Sequence, residues 1–60
     1  MITEDLEEGK VYSIEWVDGD FITRCEFVRE HNGFLIFIDE YNNKVFCRRS
    51  SLRNIKEVQT

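Results

Sequence analysis

Proline is absent from this 60-residue chain, histidine occurs once, cysteine twice and glycine three times. Without proline, no apolar run is barred from the interior of a sheet on that account. Cys25 and Cys47 form no CxxC pair and His31 is the single imidazole, so one chain lacks the closely spaced ligands of a structural zinc site. No apolar run approaches the ~18 residues of a membrane span, and the N-terminus lacks the apolar stretch of a secretory leader. These absences point to a cytoplasmic, reducing setting with Cys25 and Cys47 as buried free thiols; a Cys25–Cys47 bridge is the alternative. Catalytic groupings are missing too. His31 has no evident cysteine or serine partner, and the carboxylates are scattered through turns and strand exteriors. The chain therefore reads as a binding protein rather than an enzyme, with no cofactor, no metal, no membrane and no small-molecule substrate.

Size sets the next bound. A chain this short buries only about 60% of the surface its unfolded form exposes. A single core of that size supplies roughly 3–5 kcal/mol unless metal, disulfide or association adds to it. With metal and disulfide set aside, self-association is the expected supplement.

Charge is distributed unevenly along the chain. Residues 1–8 carry −4, residues 9–40 carry −4 and residues 41–60 carry +4, for a net of −4. The basic stretch holds Lys44, Arg48, Arg49, Arg53 and Lys56 against Glu57 alone. The overall field does not draw in nucleic acid, but this local patch is suited to it.

What is present is β-rich. Asp18-Gly19, Asn32-Gly33 and Asn42-Asn43 are turn dipeptides tolerant of positive φ, and the first two are type I′ hairpin pairs. They separate runs Lys10–Val17, Phe21–Arg29, Phe34–Tyr41 and Lys44–Arg49, all rich in β-branched and aromatic residues. Ser50 to Arg53 breaks the pattern as a 3₁₀ turn, and Asn54–Val58 resumes it as a fifth strand. Residues 3–8 read either as one helical turn capped by Thr3 and stopped at Gly9, or as an extended acidic arm.

Alternation assigns the core. Tyr12, Ile14 and Trp16 share one face, as do Phe21, Cys25 and Phe27, with Thr23 interrupting. Phe34, Ile36 and Ile38 are expected to face the core, followed by Val45, Cys47, Leu52, Ile55 and Val58. Leu35 and Phe37 then make the other face of the third strand apolar. That face is expected to be covered by Ile2 or Leu6, or by another subunit. Of the eight aromatics, Tyr41, beside a turn and bearing a polar tip, is the one expected at the surface.

The order of a four-strand meander, a 3₁₀ turn and a short last strand is that of a strongly bent, SH3-like small barrel, all-β and a single domain over residues 1–60. Within that group residues 9–58 resemble the Sm/LSm family of ring-forming RNA-binding proteins. The similarity is carried by Gly9-Lys10-Val11, Val17-Asp18-Gly19, Phe34-Leu35-Ile36-Phe37-Ile38-Asp39-Glu40 and Val45-Phe46-Cys47-Arg48-Arg49-Ser50-Ser51-Leu52. Arg48 falls at the family's motif arginine. Arg49 stands where the family has glycine, Leu35 stands at its asparagine, and its second-strand glycine is missing.

The resemblance implies a homo-oligomeric ring of about five to seven subunits, joined through the fourth strand of one subunit and the fifth of the next. Phe46 and Ile55 then lie at the contact, with Leu35 and Phe37 as further interface candidates. It also implies binding of single-stranded RNA, or less readily DNA, at the loop between the second and third strands. His31 and Asn32 sit there, with Arg48, Arg49 and Arg53 as the phosphate- and base-binding guanidinium groups. A histidine beside a hairpin turn is also, more simply, a polar turn residue. The three arginines serve equally well as a solvated edge or as ion-pair partners of a neighbouring acidic surface. The other function class is a protein-interaction module or small acidic inhibitor.

Overall fold

A computed structural model describes residues 1–58. Five antiparallel strands form one sheet: β1 (Val11–Trp16), β2 (Phe21–His31), β3 (Phe34–Asp39), β4 (Lys44–Cys47) and β5 (Leu52–Glu57). A 3₁₀ turn at Arg49–Ser51 joins the last two. The spatial order is β4-β3-β2-β1-β5, so the meander continues until β5 returns to the open side of β1. This is the expected all-β architecture, with β5 starting at Leu52 and β2 running on to His31.

Three bulges bend the sheet around its core. Between the pairs Tyr12↔Cys25 and Ile14↔Ile22, β2 carries an extra residue in the Thr23-Arg24 step. A second lies at Val28, between Phe27↔Phe37 and Arg29↔Ile36. The third is Arg53 in β5, between Glu15↔Asn54 and Trp16↔Leu52. Each extra residue reverses the parity with which side chains point in and out. Leu52 and Ile55 are three apart yet both are buried, because Arg53 is the residue spared.

The same rule corrects two expectations. Phe21 is not a core residue but is 67% exposed. The bulge at Thr23-Arg24 turns Ile22 inward in its place, packed against the core beside Cys25. On β3 the faces are the reverse of those expected. Leu35 and Phe37 are fully buried in the core, while Phe34, Ile36 and Ile38 share the outer face. The second bulge leaves Phe27 opposite Phe37, and their rings meet at 5.4 Å between centroids and 60° between planes. Val58 is only half-buried. Leu35 and Phe37 consequently offer no surface to a partner.

The N-terminal segment is an extended arm and not a helix up to the turn at Glu8-Gly9. A single turn does not repay helix nucleation, whereas tertiary anchors are available. Ile2 is buried in the core and its N–H reaches the Arg49 carbonyl at 3.3 Å. The Glu7 N–H donates to the Tyr12 hydroxyl at 2.9 Å, and Gly9, at φ +88°, donates to the Phe27 carbonyl at 2.9 Å. Ile2 and Leu6 thus close the inner side of the sheet.

Turn geometry follows the chemistry of each dipeptide. Asn32 (φ 51°) and Gly33 (φ 81°) are both left-handed, as a two-residue type I′ hairpin requires. Asp18-Gly19 differs from expectation. Only Gly19 has positive φ, and β1 and β2 are joined by four residues, with the Asp18 carboxylate accepting from the Asp20 N–H at 3.0 Å. The Asp39 carboxylate holds the third turn, accepting from the Tyr41 and Asn43 N–H groups at 2.9 Å each.

Both thiols are free and buried, and Cys25 donates to the Tyr12 carbonyl at 3.4 Å. Burial pushes Cys25 up to about 12, with the nearby Cys47 sulfur and Asp39 adding to the rise, and pushes Cys47 up to about 11. Such a group is neutral in both states at low pH. Above the ordinary thiol value the unfolded chain ionises while the folded chain does not. The thiols' contribution to stability should therefore be constant near neutrality and turn unfavourable as pH rises from about 9 through 11 and 12. Urea melts across that range should show the decline, and the double variant Cys25→Ala, Cys47→Ala should show a shallower one. Equal slopes would contradict the buried-thiol assignment.

Candidate nucleic-acid interface

The outer face of β2, β3 and β4 takes its composition from the register. The two-residue turn at Asn32-Gly33 sets His31 opposite Phe34, Glu30 opposite Leu35 and, past the Val28 bulge, Arg29 opposite Ile36. On the other side of β3, Ile36 faces Phe46 and Ile38 faces Lys44. Phe34, Ile36 and Ile38 form an apolar ridge along β3, with Arg29 and His31 to one side and Lys44 and Phe46 to the other. Ile36 is only 8% exposed, although it lies outside the inner core cluster. Phe46, at 58%, is open to solvent on the edge strand. Glu26, opposite Ile38, is the acid placed on the ridge's flank by the register.

Arg48 completes the turn end of this face. Its guanidinium carbon lies 4.3 Å above the centre of the Phe34 ring, a cation–π contact. A Cβ on Gly33 would stand 3.9 Å from the Arg48 Nη1, so the guanidinium also borders the hairpin turn. Asn32 Nδ2 lies 3.3 Å from His31 Nε2 on the exposed rim of the same turn. His31, Asn32 and Arg48 are thereby brought together, from elements sixteen residues apart in sequence, around an aromatic ring. The arrangement offers an imidazole and a guanidinium plane for stacking and a positive charge for phosphate.

The other two arginines go elsewhere. Arg49 is turned toward the N-terminal arm. Its Nη1 donates to the Glu4 carbonyl at 2.8 Å and its Nη2 lies 3.4 Å from Glu30 Oε1. It is 26% exposed and acts as a clamp that holds the arm. Arg53 projects from its bulge toward the opposite end of β2. It donates to the Val17 carbonyl at 2.8 Å and lies 3.7 Å from Glu15. Of the interface candidates, Leu35, Phe37 and Ile55 are core residues and Phe46 alone is exposed. Arg29 and the Phe34 ring also belong to this face and were not singled out from sequence as binding residues, whereas Lys44 was counted in the basic stretch. Counting pairs outward from the Asn32-Gly33 turn would have found Phe34 opposite His31.

Placement of His31 and Phe34 depends on the turn. A Cβ at Gly33 meets only ordinary contact, so the cost of a side chain there comes from the backbone at φ +81°. Gly33→Val should lower stability by about 1–3 kcal/mol, and Gly33→Asn by distinctly less, because asparagine tolerates the left-handed region. Thermal melts in which Gly33→Val matches the parent protein would contradict the hairpin.

No protein-family model matches the chain, and no curated protein or solved structure matches it.

Proposed function

We propose that this protein is an Sm-like subunit of a homo-oligomeric ring that binds single-stranded nucleic acid, RNA in preference to DNA, through Arg48, His31, Asn32 and the Phe34 ring. The observation that carries the reading is the Arg48 guanidinium lying over the Phe34 ring at the rim of the β2–β3 turn. A guanidinium resting over a ring still has N–H groups to offer a base and a phosphate. The neighbouring Arg29 and Lys44 extend the positive charge along the face.

Net charge of −4 weighs against duplex binding, which needs a broad positive surface tracking two backbones. A ring suits the distribution better, since repeated modest patches act together as one multivalent site. Two features favour association. Among the described residues, β4 and β5 are the two edges of the sheet, each paired on one side only, and Phe46 on β4 is exposed. A β4-to-β5 contact between copies removes both edges at once.

Fluorescence anisotropy with labelled oligonucleotides at low salt should show single strands bound more tightly than duplex, with affinity falling as salt rises. Arg48→Ala should weaken binding by roughly an order of magnitude, the usual cost of losing a charge-assisted, stacked contact. His31→Ala should weaken it less and leave the salt slope unchanged, and Arg53→Ala should bind as the parent does. Absence of binding, or Arg48→Ala binding like the parent, would end the nucleic-acid reading. Sedimentation should give a mass several times the 7.2 kDa subunit. A folded monomer whose mass is independent of concentration would contradict the ring.

A further inference from the structure

The other end of β2 carries a second surface, and its case does not depend on the nucleic-acid reading. β3 pairs with β2 only from Cys25 onward, while β1 pairs with β2 back to Phe21. Among the described residues, the stretch Phe21–Arg24 therefore has a strand on one side and none on the other. The turn after β3 stops beside this free edge and walls it, so that Phe21, Ile22, Thr23 and Arg24 face Asp39, Glu40 and Tyr41 across a groove. Phe21 is 67% exposed and Tyr41 is 85% exposed. A second groove adjoins the first across Phe21, lined by Trp16, Asp18, Asp20 and Ile22.

Two large aromatic side chains in water, flanking an unpaired strand edge, have no role in the core. Their surroundings select the sign of an occupant. Asp18, Asp20, Asp39 and Glu40 line the two grooves against one base, Arg24. One oxygen each of Asp18 and Asp39 is occupied by turn N–H groups. The carboxylates of Asp20 and Glu40 have no hydrogen-bond or ion-pair partner among the described residues. Exposed rings bordered by free carboxylates suit Lys and Arg side chains, which gain from both.

We infer that the free edge of β2 at Phe21–Arg24, between Phe21 and Tyr41, is a docking groove for a short, extended, Lys- or Arg-bearing peptide segment of another protein. The segment adds as a brief strand beside Phe21–Arg24. Its main chain pairs with the open edge, while alternate side chains reach Tyr41 and Phe21 on one side and the carboxylates on the other. The chain's net charge of −4 steers such a segment inward.

Trp16, the chain's single tryptophan, lines the adjoining groove and serves as the reporter. The full chain should be titrated with a short end-blocked peptide alternating Arg and Val, and separately with its Glu and Val counterpart. The basic peptide should give a saturable change in Trp16 fluorescence, weakened by salt, and the acidic one none. Tyr41→Ala should reduce affinity several-fold with the melting temperature unchanged, and Glu40→Gln should reduce affinity and flatten its salt dependence. Three results would overturn the inference: no response to the basic peptide at low salt; equal affinity for Tyr41→Ala and the parent, which marks unspecific charge attraction; or a fluorescence change that follows protein concentration without peptide, which makes a second copy the occupant. None of these bears on Arg48, so the nucleic-acid reading is tested separately.

Discussion

Everything in this fold depends on β2 serving both halves of a bent sheet. Its N-terminal half pairs with β1 and its C-terminal half with β3, the two overlapping over Cys25 and Glu26. A regular strand of eleven residues would keep one set of side chains inward throughout and stay too straight to enclose a core. The extra residues at Thr23-Arg24 and Val28 bend it and change its parity twice. Ile22, Cys25 and Phe27 thereby point inward despite their irregular spacing, and Phe21 is released to solvent. The core on one side and the two candidate surfaces on the other are products of the same two insertions.

Polar contacts then fix what the bulges leave open. The acidic arm adds Ile2 and Leu6 to the inner side of the sheet, and Arg49 secures it through the Glu4 carbonyl and the Glu30 carboxylate. The exposed hydrogen bond and the half-exposed Arg49–Glu30 ion pair contribute little individually. Their effect is geometric, since they commit Arg49 to the arm and leave Arg48 on the outer face. Two adjacent arginines thus have opposite duties: one organises the fold and the other stays available at the β2–β3 rim. At the opposite end of β2, carboxylates without partners among the described residues gather near exposed rings, so the two ends differ in sign as well as in place.

Strand number, order and the type I′ turn at Asn32-Gly33 are legible in the sequence because turn dipeptides and β-branched runs are local signals. The inward face of β3 is not, because Phe34-Leu35-Ile36-Phe37-Ile38 is apolar at every position and alternation has nothing to choose between. Only the pairing with β2 decides it, and that pairing contains a bulge with no distinctive residue. Phe21 misleads for the same reason. His31, Asn32 and Arg48 lie together at the β2–β3 rim, whereas Arg49 and Arg53 are turned elsewhere. Their partners, a backbone carbonyl of the arm and one of the first turn, are long-range contacts that composition cannot reveal. Tyr41 is exposed, as its turn position and polar tip indicate.

Amide chemical-shift mapping tests the central claim, that the outer face assembles a nucleic-acid surface at the β2–β3 rim, most directly. Addition of a single-stranded RNA oligonucleotide to the isotopically labelled protein should move the amides of His31, Asn32, Gly33, Phe34 and Arg48. Those of Phe21, Glu40 and Tyr41, at the far end of β2, should stay in place. Shifts centred on Phe21 and Tyr41, or no shifts at low salt, would contradict it.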